Sequence, residues 1–283
     1  MPSFREPSPP PRRAFRFGVA AFDTVDPLAL APQLAAAGCD YVEPALAKLA
    51  ALPHDQLEWA RDRLREVGLV AEAMNWFLPP DLKVTGPAVD EARVADYVAR
   101  AFAVAQTFGT EVVVFGSPAS RSFPMGFPPE RARAQLVAFL RLCADTIERE
   151  GHTLRLGLEA LRRQESNLVN TTAEALAVVR EVARPSVRLT IDFYHLSCEQ
   201  EDPAVLRAVG DGIVHVQVAE PRGRVFPREQ GADVRFTPFF AALQAAGYRG
   251  RISVEAVCAD VVAEVPRAFT FLRELTARAG TAG

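Results

Sequence analysis

Short runs of apolar residues alternate along the chain with longer segments that have the period of an amphipathic helix. Several of the helical segments end in glycine just before the next apolar run, as expected where a helix closes on a left-handed residue. The pattern predicts eight buried β-strands, most of them followed by a helix. The predicted strands lie within residues 15–21, 40–44, 69–75, 111–117, 154–160, 187–193, 213–219 and 251–257.

Eight strand–helix units in a chain of 283 residues match a (β/α)8 barrel, which typically needs about 250 residues. The alternative is a doubly wound open sheet, which usually carries a glycine-rich phosphate turn after its first strand. Residues 20–27 form that turn here and contain no GxGxxG motif. We therefore predict an α/β fold, a single-domain TIM barrel over residues 14–283, preceded by a disordered proline-rich extension at residues 1–13.

Composition and charge narrow the class of protein. The net charge of −3 does not favour a nucleic-acid partner, because such proteins usually present a basic face to the phosphates. No charge-free apolar run reaches the roughly 18 residues of a membrane span, and the N-terminal segment lacks the apolar core of a secretion signal. The four cysteines are scattered and form no CxxC motif, which favours reduced thiols and a cytoplasmic location.

Polar residues occur at alternate positions of the last four predicted strands, near their carboxyl ends. In a strand, side chains alternate between the two faces, so Val214, Val216 and Val218 are expected to face the helices and His215 and Gln217 to point inward. The same argument places three carboxylates inward at the end of the barrel where active sites lie. These are Glu159, Asp192 and Glu255.

Three carboxylates at one barrel mouth would repel one another and raise one another's pKa. A divalent metal ion is the simplest compensation, and a set rich in oxygen with one amide or imidazole suits Mg²⁺ or Mn²⁺. For any one of these residues the alternative is a strand-end carboxylate that caps the next helix.

The motifs around these positions resemble those of the xylose isomerase-like TIM barrels, in particular the ketose 3-epimerase and hydroxypyruvate isomerase branch. The resemblance covers nearly the whole chain. Its motifs are Glu159 in GLEALRRQESNLVN, the DxxH formed by Asp192 and His195 in IDFYHL, the segment HVQVAEPRGR at 215–224, and Glu255 in ISVEAV.

The resemblance implies one divalent metal ion held by Glu159, Asp192, Gln217 and Glu255. Epimerases usually carry a second histidine where Gln217 stands, so His215 remains the alternative fourth ligand. An amide oxygen in that place favours Mn²⁺ or Mg²⁺, with Zn²⁺ as the alternative.

The resemblance also implies roles in catalysis and substrate binding. Glu159 and Glu255 would act as the acid/base pair, one on each face of the substrate, and His195 would stabilise the developing oxyanion. Arg224 would hold a terminal group of the substrate, with Arg222 close enough to compete. The resemblance also gives Glu165 a role in substrate binding. Three further residues are expected to bind substrate from their positions in the strands: the inward-facing His215, and Asn75 and Glu43, which end the third and second predicted strands.

The sequence thus predicts a metal-dependent isomerase or epimerase that acts on a ketose or a small hydroxy-carbonyl compound through a cis-enediolate. A dehydratase of the inosose or dehydroshikimate type uses the same scaffold and remains the main alternative. An endonuclease IV-type enzyme is disfavoured, because such enzymes need many histidines and this chain has only four, and because its net charge is negative. A homodimer is an expectation from the resemblance. The loop at 116–128, which carries Arg121, is interpreted either as a lid or as a surface turn, and Trp76 either roofs the site or packs in the core.

Overall fold

Eight parallel strands form the centre of the computed structural model, which describes residues 15–229 and 231–279. Every strand lies within one of the apolar runs, so the predicted number and order of strands are confirmed. The predicted extension at 1–13 lies outside the described residues. The strands are β1 Arg16–Ala20, β2 Tyr41–Glu43, β3 Ala73–Met74, β4 Val112–Phe115, β5 Arg155–Glu159, β6 Val187–Asp192, β7 Ile213–Val218 and β8 Arg251–Val254.

Helices follow the strands and form the outer layer. Two of the longer ones begin at a capping side chain: Asp90 accepts a hydrogen bond from the backbone N–H of Arg93, and Thr171 accepts one from that of Glu174. The α-helices are α1 Ala31–Ala36, α2 Leu46–Leu49, α3 His54–Glu66, α4 Glu91–Thr107, α5 Pro118–Arg121, α6 Pro129–Arg149, α7 Thr172–Val182, α8 Phe193–Cys198, α9 Leu206–Val209, α10 Phe236–Ala245 and α11 Val261–Ala279. None of the helices between residues 15 and 279, residue 230 aside, has the length and apolarity to cross a membrane.

The sheet closes almost completely into a barrel. Its hydrogen-bonded strand order is β2-β1-β8-β7-β6-β5-β4-β3, so within the described part of the chain only the junction between β2 and β3 lacks a regular ladder. That junction is bridged by backbone hydrogen bonds from Val42 to Val70 at 3.0 Å and from Asn75 to Pro44 at 3.2 Å. The fold is a single-domain TIM barrel, as predicted, and its C-terminal strand ends meet at one mouth.

A small apolar cluster fills the barrel interior below that mouth. It consists of Tyr41, Ala73, Val112, Val114 and Val214. The outward orientation expected for Val214 is therefore wrong. The ladder between β6 and β7 shifts register at Leu189/Thr190, and such an irregularity breaks strict alternation along the strand.

Candidate active site

The carboxyl ends of the last four strands carry the predicted polar residues. Glu159 and Asp192 end β5 and β6, Gln217 is the last but one residue of β7, and Glu255 directly follows β8. All four side chains are buried. Strand alternation and the shared barrel end therefore bring together the residues that the sequence pattern singled out.

Glu159, Asp192 and His195 form a compact polar cluster at the mouth. Nε2 of His195 lies 3.4 Å from Oε1 of Glu159 and 3.6 Å from Oδ2 of Asp192. One ligand atom from each of the three residues lies within 4.8 Å of the others, a spacing at which one metal ion could be held. His195 thus enters the candidate metal cluster geometrically, although the resemblance implies an oxyanion-binding role.

A backbone contact indicates the protonation of His195. Its Nδ1 accepts a hydrogen bond of 3.2 Å from the backbone N–H of Arg162. Burial, with a smaller contribution from nearby arginines, lowers the pKa of His195 well below its usual value, so the ring is neutral. With Nδ1 as the acceptor, Nε2 carries the proton. His195 therefore presents a hydrogen-bond donor to the site, which suits an oxyanion better than a metal ion.

Asp192 has features of both roles that the sequence left open, a helix cap and a metal ligand. Its Oδ1 accepts a 2.8 Å hydrogen bond from the backbone N–H of Tyr194 and so caps helix α8. Its Oδ2 is buried without a hydrogen-bond partner among the described residues. One oxygen thus serves the fold, and the other is available to a ligand.

Gly116, which follows β4, makes room for Glu159. A Cβ built on Gly116 would overlap Oε2 of Glu159. Any other residue would push the carboxylate out of its position. The glycine follows a run of apolar strand residues, and its place at a strand end was the only signal in the sequence.

Glu43 and His215 lie behind the site. Neither lines the cavity at the mouth, and both are fully buried. Oε2 of Glu43 lies 2.8 Å from Nε2 of His215, and its Oε1 accepts a 2.8 Å hydrogen bond from Nε2 of Gln217. The amide oxygen of Gln217 is therefore turned away from Glu43, and it has no hydrogen-bond partner in the described part of the chain.

Glu255 is held by a neutral donor and a cation. Its Oε1 accepts a 2.7 Å hydrogen bond from Nδ2 of Asn75, and its Oε2 pairs closely with Arg224. Asn75 also donates to the carbonyl of Ala21 at 2.8 Å, which fixes the orientation of its amide. Asn75 thus reaches the site, as predicted from its place at the end of the third strand.

Arg224 joins the acidic residues of the site. Its guanidinium nitrogens lie 3.6 Å from Oδ2 of Asp192 and 3.6 Å from Oε1 of Glu165. The guanidinium carbon lies 4.2 Å from the ring centroid of Phe22 and 4.4 Å from that of Tyr194. The exposed Arg222 does not line the cavity, so of the two arginines only Arg224 reaches the site.

The pKa values of the site carboxyls reflect burial and mutual repulsion. Burial, reinforced by Glu255 and Asp192, raises the pKa of Glu159 well above its usual value. Burial raises the pKa of Asp192 to about 6 and that of Glu255 to about 7, although Arg224 opposes both shifts. Such pKa values, close to neutrality, are typical of groups that exchange protons with a substrate.

The donor atoms fit a hard divalent cation. Three of the four expected ligands each have one buried oxygen without a hydrogen-bond partner among residues 15–229 and 231–279: Oε1 of Glu159, Oδ2 of Asp192 and Oε1 of Gln217. Buried acceptors without a partner are costly, and oxygen ligands are those that Mg²⁺ and Mn²⁺ prefer. Both oxygens of Glu255 are engaged by Asn75 and Arg224, so this fourth expected ligand would have to exchange Arg224 for a cation.

A cavity of about 490 Å³ opens above these residues. Its floor contains Glu159, His195, Arg224 and Glu255, and Glu165 lies in its wall. The size falls in the range of about 300–1,000 Å³ in which proteins bury small molecules. A cavity with two protonatable glutamates, a neutral imidazole donor and an arginine suits proton transfer on a small polar substrate.

The family model described as xylose isomerase-like TIM barrel matches residues 31–275. The chain belongs to this family. It is 33% identical over 241 residues to an L-ribulose 3-epimerase of Methylomonas sp. (strain DH-1), over 81% of this chain and 77% of that protein. It is 28% identical to an L-ribulose 3-epimerase of Mesorhizobium japonicum, over 71% of this chain and 67% of that protein.

Solved structures agree with this family membership. The crystal structure of a D-allulose 3-epimerase from Methylomonas sp. in complex with D-allulose superimposes with a TM-score of 0.79 and 25% identity, and covers 93% of this chain and 97% of that one. The family barrel therefore continues through nearly all of the described residues, and the relatives support the sugar epimerase branch.

Besides Gly116, three residues support the site that were not among the predicted site residues. Phe22 and Tyr194 form the aromatic platform for Arg224, and the buried Arg121 donates to the carbonyl oxygen of Glu159 at 2.6 Å. Tyr194 lies inside the IDFYHL motif and Phe22 directly after β1, so their positions near strand ends were the available signals. Arg121 ends the short helix α5 and is fully buried, which fits a structural anchor and not a lid residue.

Proposed function

We propose that the protein is a divalent-metal-dependent ketose 3-epimerase. The observation that carries the proposal is the pair Glu159 and Glu255 at the floor of one cavity, both with a raised pKa and with unpartnered oxygens beside them. The names of the related L-ribulose 3-epimerases support the choice of a ketose and of its third carbon.

The two glutamates would move the proton. One of them, ionised, removes the proton from the carbon next to the ketone and leaves a cis-enediolate, and the other returns a proton from the opposite face. A pKa of about 7 allows Glu255 to serve as base or acid near neutral pH. Return of the proton from the opposite face inverts that carbon, whereas return to the adjacent carbon would produce an aldose–ketose isomerisation.

Neutral and cationic residues would stabilise the developing charge. Nε2–H of His195 is positioned to donate to the enediolate oxygen, because its Nδ1 is occupied by the backbone of Arg162. Arg224 offers a guanidinium to hydroxyls of the substrate and is itself positioned by Phe22 and Tyr194. Glu165, which pairs with Arg162 at 2.7 Å, would accept hydrogen bonds from the substrate.

A divalent ion, when bound, would polarise the ketone and acidify the neighbouring C–H bond. Glu159, Asp192, Gln217 and Glu255 would hold it, and their oxygen donors favour Mn²⁺ or Mg²⁺ over Zn²⁺, which more often takes nitrogen or sulfur ligands. A charge near the carboxylates would also relieve the repulsion that raises their pKa values.

Proton exchange with solvent tests the proposal directly. The chelator-treated protein is incubated in D₂O with L-ribulose, D-allulose or hydroxypyruvate, with and without Mn²⁺ or Mg²⁺, and the products are followed by NMR. We expect deuterium at C3 of a ketose together with its C3 epimer, only with metal present. Absence of exchange on every substrate, or loss of water to give an unsaturated ketone, would overturn the proposal; the second result would indicate a dehydratase.

A control variant separates catalysis from general effects of charge. Glu58→Gln changes an exposed carboxylate on α3 and is expected to leave exchange unchanged. The same exchange measured with Glu159→Gln and Glu255→Gln then reports on the site alone.

A further inference from the structure

The cavity is divided into a polar floor and an apolar outer part. The floor holds the catalytic candidates, whereas the outer part is lined by Trp76, Leu78, Pro79 and Pro80. The hydroxyls of Ser117 and Ser120, which also line the cavity, are already bonded to the backbone of Leu78 and Pro79. A free ketose offers hydroxyls along its whole length, and these apolar walls offer few partners for them. The outer part is therefore not explained by the reaction at the floor.

The volume of the cavity also indicates a substrate larger than a free ketose. Its 490 Å³ lies well inside the range of about 300–1,000 Å³ that holds drug-sized ligands. A single open-chain ketose is much smaller than such ligands. The cavity has room for a substrate with a second group beyond the reacting sugar.

Trp76 is held in a strained conformation at this outer part. Its φ is 45°, in the left-handed region that bulky residues rarely adopt, and its side chain remains 42% exposed. Its carbonyl accepts a 3.0 Å hydrogen bond from the backbone N–H of Ala47, which ties it to the start of α2. The preceding residue, Asn75, bonds to Glu255 at the floor. The positive φ of Trp76 therefore allows two consecutive side chains to reach different parts of the cavity, Asn75 the floor and Trp76 the outer part.

The strain is concentrated around the cavity. Among the residues that the structure describes, seven non-glycine residues have a positive φ, and three of them line this cavity: Trp76, Ser117 and Arg224. Strained backbone costs free energy and persists most often at ligand sites. The conformation of Trp76 is therefore an indication of ligand binding that is independent of the cavity volume.

Lys48 provides the polar group of this outer wall. It lies on α2, is exposed, and its amine is 5.6 Å from the centroid of the Trp76 ring. Within residues 15–229 and 231–279 no carboxylate lies at salt-bridge distance from this amine. An aromatic face beside a free amine matches a sugar ring, which presents C–H bonds on one face and hydroxyls at its edge.

We propose that the outer part of the cavity is a subsite for a second sugar ring. The substrate would be a ketose that carries a glycosyl group on the hydroxyl farthest from its ketone, with that ring on Trp76 and its hydroxyls within reach of Lys48. This inference rests on the proposed epimerase function and specifies its substrate class. A phosphorylated ketose is the less favoured occupant, because among the residues that the structure describes Lys48 is the only cationic one that lines the outer part.

The test compares a ketohexose with the same ketohexose bearing a glucosyl group on its 6-hydroxyl. We expect kcat/KM for C3 epimerisation to be at least about tenfold higher for the glucosylated ketose, because binding of a remote group assists the chemical step. In Trp76→Asn this ratio should fall to about one; asparagine removes the ring but tolerates a positive φ. In Trp59→Phe the ratio should be unchanged, since Trp59 lies on α3 away from the cavity.

A binding measurement keeps this inference separate from the proposed function. The protein has two tryptophans, so Trp59→Phe leaves Trp76 as the only tryptophan reporter. Its fluorescence should change saturably with the glucosylated ketose at concentrations at least about tenfold lower than with the free ketose. This readout does not require turnover and remains valid if no epimerisation occurs.

The outcomes are distinct. Epimerisation of the free ketose with no preference for the glucosylated one, or an unchanged ratio in Trp76→Asn, would overturn the second-sugar subsite and leave the epimerase proposal standing. A preference for a ketose 6-phosphate over the glucosylated ketose would also overturn it. Absence of exchange on all ketoses would reject the epimerase proposal, and the fluorescence titration alone would then decide on the subsite.

Discussion

Oε1 of Glu43 accepts a 2.8 Å hydrogen bond from the side-chain amide of Gln217. The two residues lie 174 positions apart in the sequence, on strands β2 and β7, which are separated in the barrel by β1 and β8. Because the nitrogen and the oxygen of an amide lie on opposite branches, this contact turns the amide oxygen of Gln217 away from Glu43. The buried carboxylate of Glu43 thus fixes the orientation of the amide of Gln217, one of the expected metal ligands.

We expect Glu43→Gln to weaken Mn²⁺ binding by about 10–100-fold, the usual effect of losing a partner that orients a ligand. The substituted amide can donate as well as accept, so it no longer favours one orientation of Gln217. Isothermal titration of the metal-free protein with Mn²⁺ measures the change.

The control for Glu43→Gln is Ser253→Ala. Ser253 is buried beside Gln217 on the neighbouring strand, but its hydroxyl pairs with that of Tyr41 at 2.8 Å and, among the described residues, forms no hydrogen bond with the side chains of Glu43 or Gln217. Its loss should leave the Mn²⁺ affinity within about twofold of the unsubstituted protein. Equal Mn²⁺ affinity in Glu43→Gln and the parent protein would show that Glu43 does not position the ligand.

Glu159→Gln and Glu255→Gln should each lower kcat for ketose epimerisation by at least about 10²–10⁴-fold, the usual contribution of a positioned acid or base. The two substitutions keep the size of the side chains, so far-ultraviolet circular dichroism should be unchanged. Turnover above a tenth of the parent rate in either variant would contradict the acid/base assignment.

The strand pattern alone predicted the eight strands and the barrel, because alternation and glycine-ended helices depend on local sequence. It also placed Glu159, Asp192, Gln217 and Glu255 at one mouth, since parallel strands in a barrel share their carboxyl ends. These placements needed no knowledge of the contacts between distant residues.

Other features depend on such contacts and could not be read from the sequence. Val214 faces the interior because the ladder between β6 and β7 shifts register, and no residue type marks that shift. Glu43 was expected to bind substrate from its place at a strand end, but its depth in the barrel is set by the closure between β2 and β3. The engagement of Glu255 by Arg224 depends on the folded loop after β7.

Arg224→Gln should shift the acidic limb of the kcat/KM profile to higher pH. The guanidinium lowers the pKa of both Asp192 and Glu255, opposing the effect of burial, so its removal raises these pKa values further. Because the acid limb reports ionisation of the base in the free enzyme, we expect an upward shift of about one pH unit. Steady-state kinetics between pH 5 and 9 measure it.

Arg222→Gln is the matched control for Arg224→Gln. It removes the same charge two residues away, from an exposed side chain outside the cavity. Its pH profile should coincide with that of the parent protein, because solvent screens an exposed charge. A shift of the same size in both variants would attribute the effect to net charge.

Arg121→Leu should lower the free energy of unfolding by about 3 kcal/mol or more. The fully buried guanidinium donates to the carbonyls of Glu159 at 2.6 Å and Val169 at 3.3 Å, and leucine would leave both acceptors without that donor. Burial lowers the pKa of Arg121 to about 10, so it remains charged at neutral pH. Urea denaturation measures the change. As a control, Arg133→Leu removes a half-buried arginine that pairs with Glu181, and it should lower the free energy of unfolding by less than about 1 kcal/mol.

In the metal-free protein, the carboxyls of Asp192 and Glu255 should contribute less to stability as the pH rises. Burial raises the pKa of Asp192 to about 6 and that of Glu255 to about 7, whereas in an unfolded chain such groups titrate near pH 4. The folded state therefore binds these protons more tightly. Their contribution to stability is complete below about pH 4 and is lost as the pH rises through 6 to 7.

The difference in free energy of unfolding between the parent protein and Glu255→Gln isolates this effect from all other titrating groups. With the metal removed, we expect the free energy of unfolding of the parent protein to fall relative to that of Glu255→Gln as the pH rises from 4 to 8. Saturating Mn²⁺ should abolish the trend, since a cation among ionised carboxylates offsets their burial and repulsion. A difference that instead favours the parent as the pH rises, measured by urea denaturation, would mean that the site carboxylates are already compensated in the metal-free protein by Arg224 alone.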